Sequence, residues 1–321
     1  MEKLKLFAFL MAVVVPISVF GAYDYAGQWG SDGGADGQFR SPTGLDFGPF
    51  GHVYVADRGN DRIQYFTDTG GFLGKWGSTG TGDGQFDKPR DVALASDGKV
   101  YVVDTENDRV QYFGHFGNYL GQWGATGNSN GQFDRPRGLA VADDGTVYVT
   151  DHGNHRVQYF SATGTYLGEW GSNGGADGQF ENPRGVDVAL NGNVYVIDQD
   201  NHRVQYFTDD GIFLGKWGSF GTGDGQFDGP GYIAIANDGT VFVSDTNNNR
   251  VQYFNASGAF LGEFGTFGTG NGQFDGPEGV AVNPDGSRVF VADNNNERIQ
   301  YFDSASTSIT PSSLGRIKAL F

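Results

Sequence analysis

The 321-residue sequence contains no cysteine, and its basic residues are few. Without cysteine, neither disulfide bonds nor thiolate chemistry can contribute to the fold or to a reaction. The sequence has 21 Lys and Arg against 38 Asp and Glu, a formal net charge of −17. A nucleic-acid-binding surface needs a basic stripe, and the sequence contains none. We therefore expect no nucleic-acid partner, and the same charge disfavours binding to anionic membranes.

The first 22 residues differ from the rest of the chain. Lys3 and Lys5 form a short basic region, residues 6–15 are apolar, and the small residues Gly21 and Ala22 follow. This order is typical of a secretory signal peptide, and no later apolar segment approaches the ~20 residues that a membrane-spanning helix needs. We predict a secreted, periplasmic or extracellular protein whose mature chain has no membrane span.

The rest of the sequence is built on a repeat of 47 residues. The triplet Gly-Gln-Phe occurs six times at this spacing, and each copy is followed by a D-x-x-N-x-R-[VI]-Q-Y-F segment. Self-similarity at a period of about 20–50 residues indicates a solenoid, a propeller or an array. The Gly-Gln-Phe triplets begin at Gly37, Gly84, Gly131, Gly178, Gly225 and Gly272.

One repeat has the pattern of four short strands. Between Pro89 and Gly124, segments rich in β-branched and aromatic residues alternate with Gly, Asn and Asp, and no segment has the spacing of an amphipathic helix. Four antiparallel strands form a propeller blade. The four predicted strands of this repeat cover residues 91–94, 100–103, 109–113 and 119–123.

The two ends of the repeat array predict how the ring closes. Residues 25–29 have a fourth-strand pattern with no first three strands before them, and the last repeat stops at Phe302 after three strands. We predict an all-β, six-bladed propeller of four-stranded antiparallel blades over residues 23–302, whose last blade is closed by the N-terminal strand. Closure removes exposed sheet edges. Residues 303–321 are predicted to be a flexible Ser/Thr-rich tail with a short basic, hydrophobic end.

Most repeated residues have structural explanations. The Asp and Asn of each D-x-x-N segment suit a turn between the second and third strands, and the Arg two places later can pair with such an Asp between packed blades. The Phe of Gly-Gln-Phe suits a core position, and the Pro three residues later suits the start of the innermost strand. We therefore expect functional residues where repeats depart from this pattern.

The repeat resembles the NHL family of β-propellers over residues 25–302. The resemblance rests on P-R-G at 136–138 and 183–185, V-Y-V-x-D at 147–151 and G-N-H-R-V-Q at 153–158. It implies a propeller fold, and NHL-like propellers include extracellular sensors, interaction platforms, RNA-binding modules and zinc-dependent amidating lyases. Related propellers include metal-dependent lactonases. Fold alone does not choose among these functions.

The five histidines do not occupy equivalent positions in the repeats, so a convergent zinc site is not predicted. His155 and His202 share a position where other repeats carry Asp, Asn or Glu. We interpret this position as exposed. The five are His52, His115, His152, His155 and His202.

Two aspartates depart from the pattern on the innermost strand. Asp46 and Asp187 occupy a position that is Ala in the other four repeats, and they lie three repeats apart. Sixfold geometry places them on opposite sides of the channel, where they could hold a cation or waters. Alternatively, each caps a local turn or pairs with a neighbouring Arg. We expect no cofactor, and leave open a calcium ion in the channel or in the surface loops before Gly-Gln-Phe, where an Asp-Gly turn is the alternative.

Three arginines form a second departure. Arg90, Arg137 and Arg184 follow the strand-opening Pro in three consecutive repeats, whereas the other repeats have Thr43, Gly231 and Glu278. Neighbouring guanidinium groups can bind a carboxylate or phosphate bidentately. Alternatively, each Arg is a structural strut that pairs with a loop Asp.

From these observations we expect a secreted, non-enzymatic, monomeric binding or scaffold module. Its partner would be a protein, peptide or glycan, bound through the loop face. The alternative function is a metal-dependent lyase or lactonase-like enzyme that uses the channel mouth with Asp46 and Asp187.

Export can be tested directly. Because residues 1–22 have the layout of a signal peptide, the secreted protein should begin near Ala22 or Tyr23. N-terminal sequencing of protein from the native host measures this. Cytosolic protein that retains Met1 would contradict the prediction.

Overall fold

The computed structural model describes residues 22–305, which form six four-stranded antiparallel sheets. Within this range the helices are single 3-10 turns, and none could span a membrane. The predicted signal peptide, apart from Ala22, and residues 306–321 of the predicted tail lie outside the described residues. The sheets follow one another along the chain, which confirms the predicted six-bladed propeller.

The first three blades contain strands β2 to β13. Blade 1 consists of β2 (Pro42–Phe47), β3 (His52–Asp57), β4 (Arg62–Thr67) and β5 (Phe72–Trp76). Blade 2 consists of β6 (Pro89–Leu94), β7 (Val100–Asp104), β8 (Arg109–Phe113) and β9 (Tyr119–Trp123). Blade 3 consists of β10 (Pro136–Val141), β11 (Val147–Asp151), β12 (Arg156–Phe160) and β13 (Tyr166–Trp170).

The last three blades contain the remaining strands. Blade 4 consists of β14 (Pro183–Val188), β15 (Val194–Asp198), β16 (Arg203–Phe207) and β17 (Phe213–Trp217). Blade 5 consists of β18 (Pro230–Ile235), β19 (Val241–Asp245), β20 (Arg250–Phe254) and β21 (Phe260–Phe264). Blade 6 consists of β22 (Pro277–Val282), β23 (Arg288–Asp293), β24 (Arg298–Ser304) and β1 (Tyr23–Trp29). The 3-10 turns are Arg58–Asn60, Thr105–Asn107, His152–Asn154, Thr246–Asn248 and Asn294–Asn296.

The N-terminal strand completes blade 6, as the sequence predicts. β1 runs antiparallel to β24, with Tyr23 opposite Ser304 and Trp29 opposite Ile299. A bulge interrupts the pairing between Tyr25 and Gly27. The first and last strands of the array are therefore neighbours in one sheet, and blade 6 has no open edge at β24.

The hydrophobic core lies between blades rather than within them. At the interface of blades 6 and 1, Phe39 packs with Leu45 and Val55 of blade 1 and with Phe290 and Ile299 of blade 6. The Phe of every Gly-Gln-Phe triplet is fully buried in such a cluster. Removing a buried Phe side chain costs about 3–5 kcal/mol in a typical core. These clusters therefore hold neighbouring blades together.

A hub aspartate at the end of the second strand organises each blade. In blade 1, both carboxylate oxygens of Asp57 are fully buried and accept hydrogen bonds from the Arg40 amide, Asn60 Nδ2, Arg62 Nε and Gln64 Nε2. Burial raises the pKa of Asp57, and these hydrogen bonds oppose the rise. The same set recurs in every blade, and the hub aspartates are Asp57, Asp104, Asp151, Asp198, Asp245 and Asp293.

The arginine of the hub also holds the loop that connects neighbouring blades. Arg62 Nε lies 2.6 Å from Asp57 Oδ2, and its terminal nitrogens donate to three carbonyls of the Gly-Gln-Phe loop. These carbonyls belong to Gly34, Ala35 and Gln38. The sequence analysis expected this Arg and Asp to pair between neighbouring blades, and that expectation is wrong. Asp57 and Arg62 lie in one blade, because β3 and β4 place them opposite each other.

The Gly-Gln-Phe loops and the turns between second and third strands lie on one side of the ring, which we call the loop face. The first strands of neighbouring blades contact one another and surround a central channel. The proline that opens each first strand lies at the loop face, opposite the hub aspartate. The residue after this proline therefore lies at the channel mouth.

Closure by β1 has a measurable consequence. Deletion of residues 23–30 should leave β24 with an unpaired edge, causing aggregation or a large loss of stability. Size-exclusion chromatography and thermal unfolding measure both effects. Asp24→Ala, at an exposed position of the same strand, is the control and should behave as the wild type. A monomeric deletion variant with unchanged melting would contradict this prediction.

Candidate functional site

Six equivalent residues form a ring around the channel mouth, which we call the mouth ring. Each directly follows the proline that opens a first strand. The three arginines follow one another in blades 2, 3 and 4, so they occupy one side of the ring. In blade order, the mouth ring consists of Thr43, Arg90, Arg137, Arg184, Gly231 and Glu278.

Arg184 has partners in the structure. It is 3% exposed, one terminal nitrogen pairs with a carboxylate oxygen of Glu278, and its guanidinium lies 5.5 Å from the ring centroid of Tyr232. Glu278 belongs to blade 6, so this ion pair reaches across the mouth ring. Arg184 thus fits the strut interpretation, although its partner is a mouth-ring Glu rather than a loop Asp.

Arg90 and Arg137 differ from Arg184. Within residues 22–305, neither side chain has an ion pair or a hydrogen bond, and the Nε atom of each is buried. Burial lowers the pKa of both, that of Arg137 to about 9, and the charges of Arg90 and Arg184 also lower the pKa of Arg137. The structure therefore brings together two guanidinium groups that form no ion pair, although the charge of Glu278, which pairs with Arg184, opposes the fall of both pKa values.

Arg58 is a further cation at the mouth that the sequence pattern did not single out. It begins the 3-10 turn after Asp57, and its charge contributes to lowering the pKa of Arg90. The Nε atom of Arg58 is buried and has no partner among the described residues. At the equivalent position, four of the other five blades use a side chain that contacts the carbonyl of the next strand-opening proline: Thr105, His152, Thr246 and Asn294. That departure was the available sequence signal.

His152 is neutral in this environment. Its Nδ1 atom lies 3.2 Å from the Pro183 carbonyl oxygen, which requires the ring to donate from Nδ1. Burial lowers the pKa of His152 to about 3, and the charge of Arg137 acts in the same direction. His152 thus adds no charge to the mouth at neutral pH.

Tyr232 closes the channel below the mouth ring. It is 4% exposed, and its hydroxyl donates to the Arg90 carbonyl at 3.0 Å, on the opposite side of the channel. The equivalent position is Gly in four blades, because the inner strands converge. A Cβ on Gly138, for example, would lie 2.2 Å from the Arg184 carbonyl oxygen. The phenol therefore forms the floor of the mouth, and the sequence analysis missed it.

Asp46 and Asp187 line a cavity of about 190 Å³ in the channel beyond this floor. Asp46 accepts hydrogen bonds from the amides of Phe47 (2.7 Å) and Leu94 (2.8 Å), and Leu94 belongs to the next blade. Asp187 repeats this arrangement with the amides of Val188 and Ile235. Each carboxyl group thus links two blades, and neither caps a turn nor pairs with an Arg.

Asp91 joins these two carboxyl groups in the cavity. It accepts from the amides of Val92 and Leu139, so it links blades 2 and 3. Burial raises the pKa of Asp46 and of Asp187 to about 7. Burial also raises that of Asp91 well above its usual value, and the charges of Asp46 and Asp187 add to this rise. In the sequence, Asp91 could have been found because it occupies a position that is Gly in four repeats. Tyr232, on the opposite side of the ring, is the other exception.

A metal at Asp46 and Asp187 stays a prediction. Within residues 22–305, no three His, Asp or Glu side chains are arranged to hold a metal ion. A surface calcium ion also stays a prediction. Two of the loop aspartates considered for it, Asp36 and Asp177, form salt bridges of 2.5 Å with Lys75 and Lys216.

The position shared by His155 and His202 is not simply exposed, which corrects the sequence interpretation. Each residue is half-buried, and its Nδ1 atom accepts an amide hydrogen bond from the next blade, 3.2 Å from Asn182 N and 3.1 Å from Gly229 N. In other blades Asp, Asn or Glu accepts the equivalent bond. The position tolerates variety because any acceptor of suitable reach can serve.

His52 and His115 lie on the opposite side of the ring from the loop face. Their rings stack at a centroid distance of 5.4 Å, and His115 Nδ1 lies 2.7 Å from the Tyr54 hydroxyl. Burial lowers the pKa of His115, and the charge of His52 adds to the effect. Apart from this pair, the histidines of the described chain do not lie together in one site.

Comparison with known proteins supports the repeat architecture. A family model described as NHL repeat matches residues 39–66, 86–113, 133–160, 180–207, 227–254 and 274–302. No curated protein matches the chain significantly.

Several solved propeller structures are similar to the chain. A protein of unknown function from Bacteroides thetaiotaomicron has a TM-score of 0.70 and 16% identity, covering 88% of this chain and 76% of that one. An inactive virginiamycin B lyase from Staphylococcus aureus with quinupristin has a TM-score of 0.59 and 13% identity, and the match covers 88% of this chain and 100% of that one. A gluconolactonase from Xanthomonas campestris has a TM-score of 0.63 and 12% identity, covering 90% and 99%. At these identities, the similarity shows the fold alone.

The buried channel carboxyl groups predict a pH dependence of stability. The pKa of Asp46 rises from 3.8 to about 7 on folding, so between these values the folded state holds more protons than the unfolded state. The free energy of unfolding should therefore fall as pH rises from about 4 to about 7. Because one pKa unit corresponds to about 1.4 kcal/mol, each such group contributes a few kcal/mol.

Chemical denaturation at pH 5, 6, 7 and 8 measures this slope. The Asp46→Asn/Asp187→Asn variant should show a smaller fall than the wild type, whereas Asp224→Asn, at an exposed loop position, should keep the full fall. Equal slopes for all three proteins would contradict the assignment of these protons to the channel.

Proposed function

Because the chain belongs to the NHL-repeat family of β-propellers, we propose that it is a binding module that presents its loop face to a protein, peptide or glycan partner. The observation that supports this proposal is that the side chains of Arg90 and Arg137, at the channel mouth, form no ion pair or hydrogen bond within residues 22–305. Repeated polar residues, such as the hub aspartates and arginines, satisfy one another. Arg90 and Arg137 break the repeat and have no structural partner, which favours a role in binding.

The loop face also offers apolar contacts. Phe220 and Phe267 are 66% and 70% exposed on the Gly-Gln-Phe loops that lead into blades 5 and 6. The equivalent residues of the other loops are polar: Asp32, Thr79, Thr126 and Asn173. Exposed aromatic side chains beside charged groups are common in binding surfaces. We propose that the protein acts as a monomer and, from its first 22 residues, outside the cytoplasm.

The donor set favours binding over metal-dependent catalysis. The similar structures include a lyase and a gluconolactonase, but at identities of 12–13% the similarity indicates a shared fold and does not indicate a shared reaction. The carboxyl oxygens of Asp46 and Asp187 each accept a backbone amide, and Tyr232 separates them from the loop face. The enzyme interpretation of the channel mouth thus has no specific support in the described residues.

Peptide and glycan arrays test the proposed function. The wild-type protein should bind a defined subset of ligands, and Arg90→Ala/Arg137→Ala should reduce this binding at least tenfold, since a hydrogen bond to a charged group contributes about 1.5–3 kcal/mol. Arg40→Ala/Arg135→Ala is the charge-matched control. Arg40 and Arg135 lie on the same face, are largely exposed and pair with Asp32 and Asp134. The control should bind as the wild type does.

Two results would contradict the proposal. If Arg90→Ala/Arg137→Ala binds the ligands as well as the control Arg40→Ala/Arg135→Ala does, the mouth ring does not take part in binding. Catalytic turnover of an array ligand, abolished by Asp46→Asn or Asp187→Asn, would instead favour the enzyme alternative.

A further inference from the structure

The pairing of cationic side chains on this acidic protein is almost complete. Within residues 22–305, every Lys and nearly every Arg lies within salt-bridge distance of a carboxylate. The exceptions in this range are Arg58, Arg90 and Arg137. All three lie at the channel mouth, and each has a buried Nε atom without a partner; the Nε atom of Arg184 is in the same state, but a terminal nitrogen of Arg184 is paired with Glu278. In a chain of net charge −17, this concentration of unpaired cations in one place requires an explanation.

The three arginines come from consecutive blades. Arg58 directly follows the second strand of blade 1, and its equivalents in four of the other blades contact the carbonyl of the next strand-opening proline. That proline in blade 2 is Pro89, which directly precedes Arg90. Arg137 is the equivalent of Arg90 in blade 3. The charge of Arg58 lowers the pKa of Arg90, and the charge of Arg90 lowers that of Arg137, so these like charges destabilise one another, and partial burial increases the cost.

The neighbouring carboxyl groups form no ion pair with these arginines, although the charge of Glu278 acts on Arg90 and Arg137 and opposes the fall of their pKa values. Glu278 pairs with Arg184, and the two oxygens of Asp91 accept the amides of Val92 and Leu139. Because burial raises the pKa of Asp91 well above its usual value, this group also resists ionisation. The three arginines therefore have no ion-pair partner within the described chain.

We propose that Arg58, Arg90 and Arg137 form a binding site for an oxyanion group, namely the carboxylate, sulfate or phosphate end of a ligand. The site deepens the proposed function, on which it rests, by naming the chemical group that the loop face recognises. Guanidinium groups offer planar pairs of N–H donors that match such groups, so three of them could satisfy one oxyanion from three directions. The acidic remainder of the chain disfavours extended polyanions.

Tyr232 and Arg184 shape this site without belonging to it. The Tyr232 hydroxyl holds the Arg90 backbone, and its ring closes the channel below the mouth. Arg184 lies over that ring and pairs with Glu278, so it already has a carboxylate partner, whereas the three arginines form no ion pair with Glu278. The anion site is therefore shifted by one blade from the set that the repeat pattern predicts, with Arg58 in place of Arg184.

Titration calorimetry with inorganic phosphate, sulfate and acetate tests the site, with chloride used to keep the ionic strength constant. The wild-type protein should bind at least one of these anions with a stoichiometry of one. Each of Arg58→Ala, Arg90→Ala and Arg137→Ala should weaken binding about tenfold or more. Arg40→Ala and Arg135→Ala, on the same face, should leave the affinity unchanged.

Thermal unfolding without added anion separates a ligand role from a structural role. The three site variants should keep or gain stability, because each removes a repelling charge. Arg62→Ala should lose stability strongly, because it leaves a hub carboxylate buried without its cation. A large stability loss in Arg90→Ala or Arg137→Ala would overturn the proposal in favour of a strut.

Other outcomes distinguish failure of this site from failure of the proposed function. Wild-type affinity in all three site variants, or no anion binding beyond that in chloride, would overturn the site. Array partners bound by the wild type, yet insensitive to phosphate and to Arg58→Ala, would overturn the site and leave the binding function intact. Anion binding lost in the site variants, with no array partner, would support the site and contradict the proposed function.

Discussion

The buried hub aspartate of each blade is the interaction on which the rest of the structure depends. The long loop that enters each blade has no regular secondary structure over most of its length, so its carbonyl groups need partners from elsewhere. The arginine beside the hub supplies them, since Arg62 donates to Gly34, Ala35 and Gln38 while its Nε atom binds Asp57. Removal of one partner from such a buried pair costs about 3–5 kcal/mol, because the other charge is left uncompensated.

Each hub also positions hydrophobic packing between blades. The loop that Arg62 holds ends in Phe39, which is fully buried between blades 6 and 1. The hub of blade 1 thus fixes the loop, the loop places the Phe, and the Phe joins two blades. Six repeats of this arrangement close the ring, so most repeated polar residues have structural roles. Residues that depart from the pattern, such as Arg58 and Arg90, take no part in these hub and loop hydrogen bonds.

The channel combines opposite chemical environments a short distance apart. Guanidinium groups lie along one side of the mouth, the phenol of Tyr232 forms a floor, and carboxyl groups line the cavity beyond it. The carboxyl groups of Asp46, Asp91 and Asp187 use their oxygens to link inner strands of neighbouring blades. The two charged sets therefore have different roles: the carboxyl groups connect blades, whereas the unpaired arginines lie at the mouth and their side chains connect none.

The amino-acid sequence by itself determined the period, the number of blades and the strand that closes the ring. These follow from local patterns that recur every 47 residues, and residues 25–29 were recognisable as a fourth strand without a preceding blade. Only the tertiary structure decided which charges are paired. Arg184 meets Glu278 across 94 residues of sequence, and Tyr232 reaches Arg90 across 142. Such contacts depend on how far a side chain reaches across the ring. The repeat period assigns each residue to a blade, but it does not show which residue of another blade its side chain contacts.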